Sequence, residues 1–252
     1  MNNERIWNIN SFIQLKGQVH INDLLELYPN VSSMTIRRDI DSLEKQGYIV
    51  RTRGGAKSIS HLTRTKEDIY QKRAFENVDS KLQIAKKAAV MSLEPGAVYF
   101  DSGTTVMNIV KALDVKNIFA ITSGPNISME LCRNGCLNTV LLGGNVNRDN
   151  LSVSGTSAIE QIRNINIGVA FIGASGFSSN TGFTIGNQDE GELKKQVIER
   201  ASCVVLVMDS SKFDRNLPYT FARLSDIDYF ITDSSLPADI AEEAKKHNVV
   251  IL

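Results

Sequence analysis

Residues 29–55 read PNVSSMTIRRDIDSLEKQGYIVRTRGG, and this stretch decides how the first part of the chain folds. Ser32 or Ser33 can open a helix by accepting a first-turn amide, and Gly47 is suited to end it. Ile36, Ile40 and Leu43 stand at i, i+4 and i+7, which makes one side of that helix core. Ser33, Met34, Arg37, Arg38 and Asp41 are left facing outward. Beyond Gly47, the run YIVRTRGGA predicts a short strand that turns at Gly54 and Gly55, a small β-wing.

Upstream, Ile6, Ile9, Phe12 and Ile13 recur at helical spacing as far as Gly17, predicting a first helix over 3–16. Val19 and Ile21 read as a short extended link, and Asn22 or Asp23 is placed to cap a second helix through Leu24, Leu25 and Leu27 that Pro29 ends. Three short helices and a wing predict a small α+β winged helix-turn-helix.

The physical use of such a helix is to lie in the major groove of double-stranded DNA. There the planar fork of Arg37 or Arg38 can read guanine O6 and N7, and Ser32, Ser33 and Thr35 at the helix start can hold phosphates. Arg51 and Arg53 on the wing would grip the flanking backbone or minor groove. The plainer alternative makes Arg37 and Arg38 solvated charges offset by Asp39, Asp41 and Glu44. The helix spacing, the hydroxyl-rich start and the wing together favour DNA.

Bulk charge is silent on that point, because 28 Lys and Arg balance 28 Asp and Glu. Distribution is not: Arg51, Arg53, Lys57, Arg64, Lys66, Lys72 and Arg73 are opposed over the same span only by Glu67 and Asp68. With 42% hydrophobic and 22% charged residues the chain is a folded globular protein rather than a disordered or fibrous one. No run approaches the roughly 20 apolar residues of a membrane span, and MNNERIWNIN is no signal peptide, so a cytoplasmic location is expected. Cys132, Cys136 and Cys203 suit a reducing compartment and lack zinc-site spacing, while His20, His61 and His247 are isolated. Neither a metal nor a cofactor is expected.

After residue 76 the pattern becomes one of alternation. It predicts helices over 81–91, 106–113, 127–133, 157–162, 189–201 and 237–247, interleaved with strands over 97–100, 117–122, 138–142, 167–172, 203–208, 228–231 and 249–252. Strands and helices taking turns predict an α/β domain with a mostly parallel sheet. The expected organisation is a DNA-binding domain over 1–57, a linker over 58–76 and an α/β domain over 77–252.

Strand 97–100 runs into Asp101-Ser102-Gly103-Thr104-Thr105 and then a helix, a sound way to build an anion site from helix-start amides and hydroxyls. Such turns also serve simply for turning and capping. Comparable loops follow neighbouring strands at Thr122-Ser123-Gly124, Leu142-Gly143-Gly144, Gly173-Ala174-Ser175-Gly176 and Asp209-Ser210-Ser211-Lys212. Ligands of open α/β sheets collect at this edge, and Lys212 would supply a cation unless it merely pairs with Asp209 or Asp214.

The sequence from Val31 to Ile40, with Leu43-Glu44, Gly47, Arg51 and Gly54-Gly55-Ala56, resembles the DeoR-type bacterial transcription regulators, and the resemblance extends over nearly the whole chain. It implies a recognition helix and wing ahead of a sensor domain similar in fold to ribose-5-phosphate isomerase. It also implies a phosphorylated sugar or sugar derivative as effector, and a repressor of carbohydrate metabolism. Two departures stand out: Ser175 replaces the acid of a Gly-Ala-Asp-Gly loop, and Thr122-Ser123 replaces Thr-Asn. The first removes a carboxylate that an isomerase, the alternative reading, would use as a base. The simplest use of Asp189, Glu190 and Glu192 is to complement a helix N-terminus, and the alternative is that one of them reaches sugar hydroxyls. Because helix-turn-helix proteins bind paired half-sites, a homodimer or homotetramer is expected.

Overall fold

The computed structural model describes residues 2–16, 18–52, 54–58, 67–91, 96–234 and 236–252, leaving aside the side chains of residues 2–4, 14, 15 and 18. The chain divides into two compact units, Met1–Arg64 and Thr65–Leu252.

In the first unit, α1 (Asn2–Lys16), β1 (Gln18–His20), α2 (Ile21–Leu27) and α3 (Ser33–Lys45) precede a wing of β2 (Ile49–Thr52) and β3 (Gly55–Ser58). Ile9, Ile13, Leu24, Ile36, Ile40 and Leu43 close one apolar core. The extended link around Val19 is itself a strand, antiparallel to β3, in a sheet of order β1-β3-β2. The two strands lie so close that a Cβ on Gly55 would fall 1.9 Å from the Val19 carbonyl oxygen, so only glycine fits there. Helix α2 begins earlier than its Asn22 or Asp23 cap would allow, because Asp23 caps from inside: its Oδ2 accepts the His20 N–H at 2.8 Å. At α3 the cap is Ser32, whose Oγ accepts the Thr35 N–H at 3.2 Å.

The second unit opens with α4 (Tyr70–Phe75) and α5 (Val78–Ala89) and then alternates: β4 (Ala97–Phe100), α6 (Thr104–Ala112), β5 (Phe119–Thr122), α7 (Pro125–Arg133) and β6 (Asn138–Leu141). A hairpin of β7 (Asn145–Asn147) and β8 (Ser152–Ser154) leads to α8 (Thr156–Arg163) and β9 (Ile167–Gly173). Next come β10 (Gly176–Ser178), β11 (Gly182–Ile185), α9 (Gln188–Arg200), β12 (Ala201–Val207) and β13 (Tyr219–Ala222). The chain finishes with β14 (Tyr229–Ile231), α10 (Ala238–Lys246) and β15 (Val250–Ile251).

Among the described residues, seven strands form one sheet of order β15-β14-β12-β9-β4-β5-β6, with every pairing parallel. Successive strand residues point to opposite faces, which builds two cores. Tyr99, Ile172, Leu206 and Phe230 join α8, α9 and α10 on one face, through Ile162, Val197 and Ile240. Val98, Phe100, Phe171 and Val205 join α5, α6 and α7 on the other, through Ile84, Ile109 and Ile127. This is the α/β class that alternation predicts.

The antiparallel elements are absent from that expectation. Strands β10, β11 and β13 make a second small sheet, and its Phe177, Phe183 and Phe221 pack toward Phe230. Each is three or four residues long and flanked by turn residues, so no period develops for sequence reasoning to detect.

The order of winding positions the site. From β4 the chain moves outward to β5 and β6, and from β9 it moves the other way through β12, β14 and β15. The reversal lies between β4 and β9, and the loops leaving these two strands part there to leave a crevice at their carboxyl ends.

Candidate functional site

On the first unit, α3 carries Ser33, Met34, Arg37 and Arg38 exposed on one side. Asp39 does not offset the two arginines. It is buried on the opposite side, where Arg5 holds it through Nε at 2.7 Å and Nη2 at 3.2 Å. Arg51 is tied to α3: its backbone N–H donates to Glu44 Oε1 at 2.9 Å and its guanidinium pairs with Asp41. Ser32 and Thr35 hydroxyls lie 3.0 Å apart at the helix start. Arg53, the remaining wing arginine, lies outside the described residues.

On the second unit, the crevice between β4 and β9 is a pocket. Of the residues the sequence nominates for an effector, Asp101, Ser102, Gly103, Thr104, Thr105, Ser175 and Lys212 line it. Thr122, Ser123, Gly143 and Gly144 are not among its walls, and polar groups of the first three are engaged elsewhere in the fold. Thr122 Oγ1 accepts the Gly124 N–H at 2.9 Å, and Ser123 Oγ accepts from the Tyr99 hydroxyl at 2.8 Å. Gly143 exchanges two 3.2 Å hydrogen bonds with the Gln161 carboxamide.

Several lining residues escape a reading of the sequence: Glu67, Arg73, Lys81, Lys194 and Arg215. Glu67 and Arg73 belong to the span predicted as linker, yet they sit in the second unit against its pocket. For Lys194 a signal existed. Glu190, Leu193, Lys194 and Val197 share one face of α9 and all are buried, so two charges stand on an apolar stripe. Glu190 is the first-turn acid that faces the pocket, whereas Asp189 and Glu192 are exposed.

Two buried charge systems organise the floor. Asp101, at the end of β4, accepts the Gly173 N–H at 3.0 Å and is paired with Lys194 Nζ, which also donates to the Gly173 carbonyl at 2.9 Å. This clamp joins the two strands at the point of reversal. Glu190 Oε1 accepts from Ser152 Oγ at 2.7 Å, Asn150 Nδ2 at 2.9 Å and Asn147 Nδ2 at 3.2 Å. Burial pushes the Glu190 carboxyl up, and its donors only partly restrain the rise.

Further cations line the pocket. Lys81 donates to the Glu76 carbonyl at 2.6 Å and to that of Arg73. Burial pulls its ammonium down to about 8 against the attraction of Asp209. Burial also lowers Lys212, again opposed by Asp209, with Arg215 and Arg73 adding like charge. Lys81 and Lys212 thus both feel Asp209 and Glu76 as attraction and Arg73 as repulsion, while Arg73 Nη1 lies 3.7 Å from Glu67 Oε1. The Arg73 Nε–H is buried and makes no hydrogen bond among the described residues. Five cations line the pocket beside six carboxylates, and its lysines, arginines, hydroxyls and helix-start amides together can meet a small anion bearing polar groups.

Comparison with known proteins agrees with both halves. Residues 5–61 match the model of the DeoR-like helix-turn-helix domain, and residues 76–234 match that of the DeoR C terminal sensor domain. The chain is 34% identical over 223 residues to the HTH-type transcriptional regulator GlpR of Haloferax volcanii, covering 88% of this chain and 86% of that one. It is 31% identical over 230 residues to the HTH-type transcriptional repressor GlcR of Bacillus subtilis, covering 91% and 88%. Among solved structures it has a distant likeness to ribose 5-phosphate isomerase A of Methanocaldococcus jannaschii, with 19% identity, 56% and 57% coverage and a TM-score of 0.42. Among the described residues no helix is long and apolar enough to cross a membrane. A helix-turn-helix unit with an exposed arginine face and a parallel-sheet unit with an anion-suited crevice are matched over nearly their whole lengths: this chain belongs to the DeoR family of transcriptional regulators.

Proposed function

We propose that this regulator represses a carbohydrate-metabolism operon and is controlled by a phosphorylated sugar bound between β4 and β9. The observation that carries the reading is that Lys81, Lys212, Arg73 and Arg215 line one pocket with the Ser102–Thr105 loop, and that Glu190 lines it too as an acceptor for hydroxyls. A phosphate suits the first group and a polyol chain the second. Arg37 and Arg38 read bases in the major groove, Ser32, Ser33 and Thr35 anchor phosphates, and Arg51 and Arg53 hold the flanks. Homodimers or homotetramers would set the half-site spacing. The name of GlcR, a transcriptional repressor, supports the sign of control.

The test is fluorescence anisotropy of labelled DNA from upstream of this protein's own gene, at fixed salt, with a panel of sugar phosphates. Specific binding that one of them shifts is the expected result. Specific binding indifferent to every phosphate, with a shift by an unphosphorylated sugar, would overturn the effector class. Conversion of ribose 5-phosphate to a ketose by the purified protein would favour the isomerase reading instead.

A further inference from the structure

The pocket already holds an acid, and it is one of the chain's own. Glu67, three residues ahead of α4, puts its carboxylate against Ser175 Oγ, with Asn150 Nδ2 at 3.4 Å and Arg73 Nη1 at 3.7 Å. Its side chain is only 5% exposed. Gly186 makes the room: a Cβ there would stand 3.3 Å from Glu67 Cγ, tighter than ordinary packing, and in ordinary contact with Oε2 at 3.5 Å. The neighbouring acid Glu190 is buried and feels the Glu67 charge as repulsion. A carboxylate placed beside another carboxylate is held by its donors, not by the surrounding field. Those donors are a hydroxyl, a carboxamide and a guanidinium, the set that receives a ligand's phosphate or carboxylate.

We propose that Ser175, Asn150 and Arg73 form an acid-accepting subsite of the effector pocket, that Glu67 occupies it in the free protein, and that the effector's acidic group must displace Glu67 to bind. The inference rests on the phosphosugar reading of the pocket and adds its regulation. Because Glu67 directly follows the residues that join the two units, its release couples occupancy of the pocket to the chain leading to the DNA-binding unit. An internal competitor weakens apparent affinity by the fraction of time it holds the site, so its removal tightens binding without any new contact.

Isothermal calorimetry on the full chain tests this, with ribose 5-phosphate and inorganic phosphate as probes and Glu67→Ala, Ser175→Ala and the double variant as proteins. The expected result is binding tightened about tenfold by Glu67→Ala, with most of that gain lost when Ser175→Ala is added. Equal affinity in wild type and Glu67→Ala overturns the displacement while leaving the phosphosugar reading in place. Weaker binding by Glu67→Ala makes Glu67 a ligand-holding group and overturns it too. A gain that survives intact in the double variant assigns the effect to charge alone and removes Ser175 from the subsite. Failure of every protein to bind either probe overturns both this inference and the reading beneath it.

Discussion

Asp101 and Lys194, 93 residues apart in sequence, form an ion pair in which each side chain is 5% exposed, at the point where the sheet reverses its winding. The pair and the two Gly173 backbone groups satisfy one another. Removing one partner leaves a buried charge without compensation. Lys194→Met should cost about 3–5 kcal/mol and lower the melting temperature by roughly 10 °C. Adding Asp101→Asn should restore part of it. A single variant that melts like the wild type in calorimetry would refute the pairing.

Glu190 gathers three donors on one oxygen. Glu190→Ala leaves Asn147, Asn150 and Ser152 unanswered and should destabilise by about 2–3 kcal/mol in urea titration, whereas Glu190→Gln keeps the acceptor oxygen and should cost less than half as much. The pH dependence has a definite sign. The folded carboxyl is raised, so its stabilising contribution is complete below the unfolded value of 4.5 and fades as pH climbs through the folded one. Glu190→Gln should therefore lose less stability than wild type as pH rises from 4 toward neutrality.

Lys81 bears on ligand binding through its ammonium. In the folded protein it releases its proton near 8, against 10.5 unfolded, so its burial penalises folding at neutral pH and stability from this group rises between those values. Effector binding runs oppositely, since an anion prefers the charged lysine. Affinity for a sugar phosphate should fall between pH 7 and 9 with proton uptake on binding, and Lys81→Met should flatten the dependence. A flat wild-type profile would remove Lys81 from the site.

Arg37→Ala should cost about 1–3 kcal/mol of binding to the operator and little of binding to random DNA, measured at one salt concentration. An equal loss on both would reduce Arg37 to a phosphate contact.

Asp41 holds Arg51 in the free protein. Asp41→Asn should release that guanidinium for phosphate, tightening both specific and non-specific binding several-fold and steepening the salt dependence by about one counterion. An unchanged salt slope would place Arg51 away from the DNA backbone.

The sequence by itself determined what local chemistry determines. Apolar spacing at Ile36, Ile40 and Leu43 set the inner face of α3 and so exposed Arg37 and Arg38. Alternating periods set an α/β sheet, and Gly, Ser and Thr after β4 marked a loop able to face an anion. Tertiary structure decided which of five similar loops share a pocket, because that follows from the winding reversal between β4 and β9, a property of strand order that no single segment carries. It also decided the fate of the charges. Asp39 turned inward to Arg5, Asp41 took Arg51, Lys194 crossed to Asp101, and Glu67 entered the pocket from a span that looks like linker. Charges show no period. Where one lands depends on which distant partner offsets its desolvation, and that partner is known only when the chain has closed.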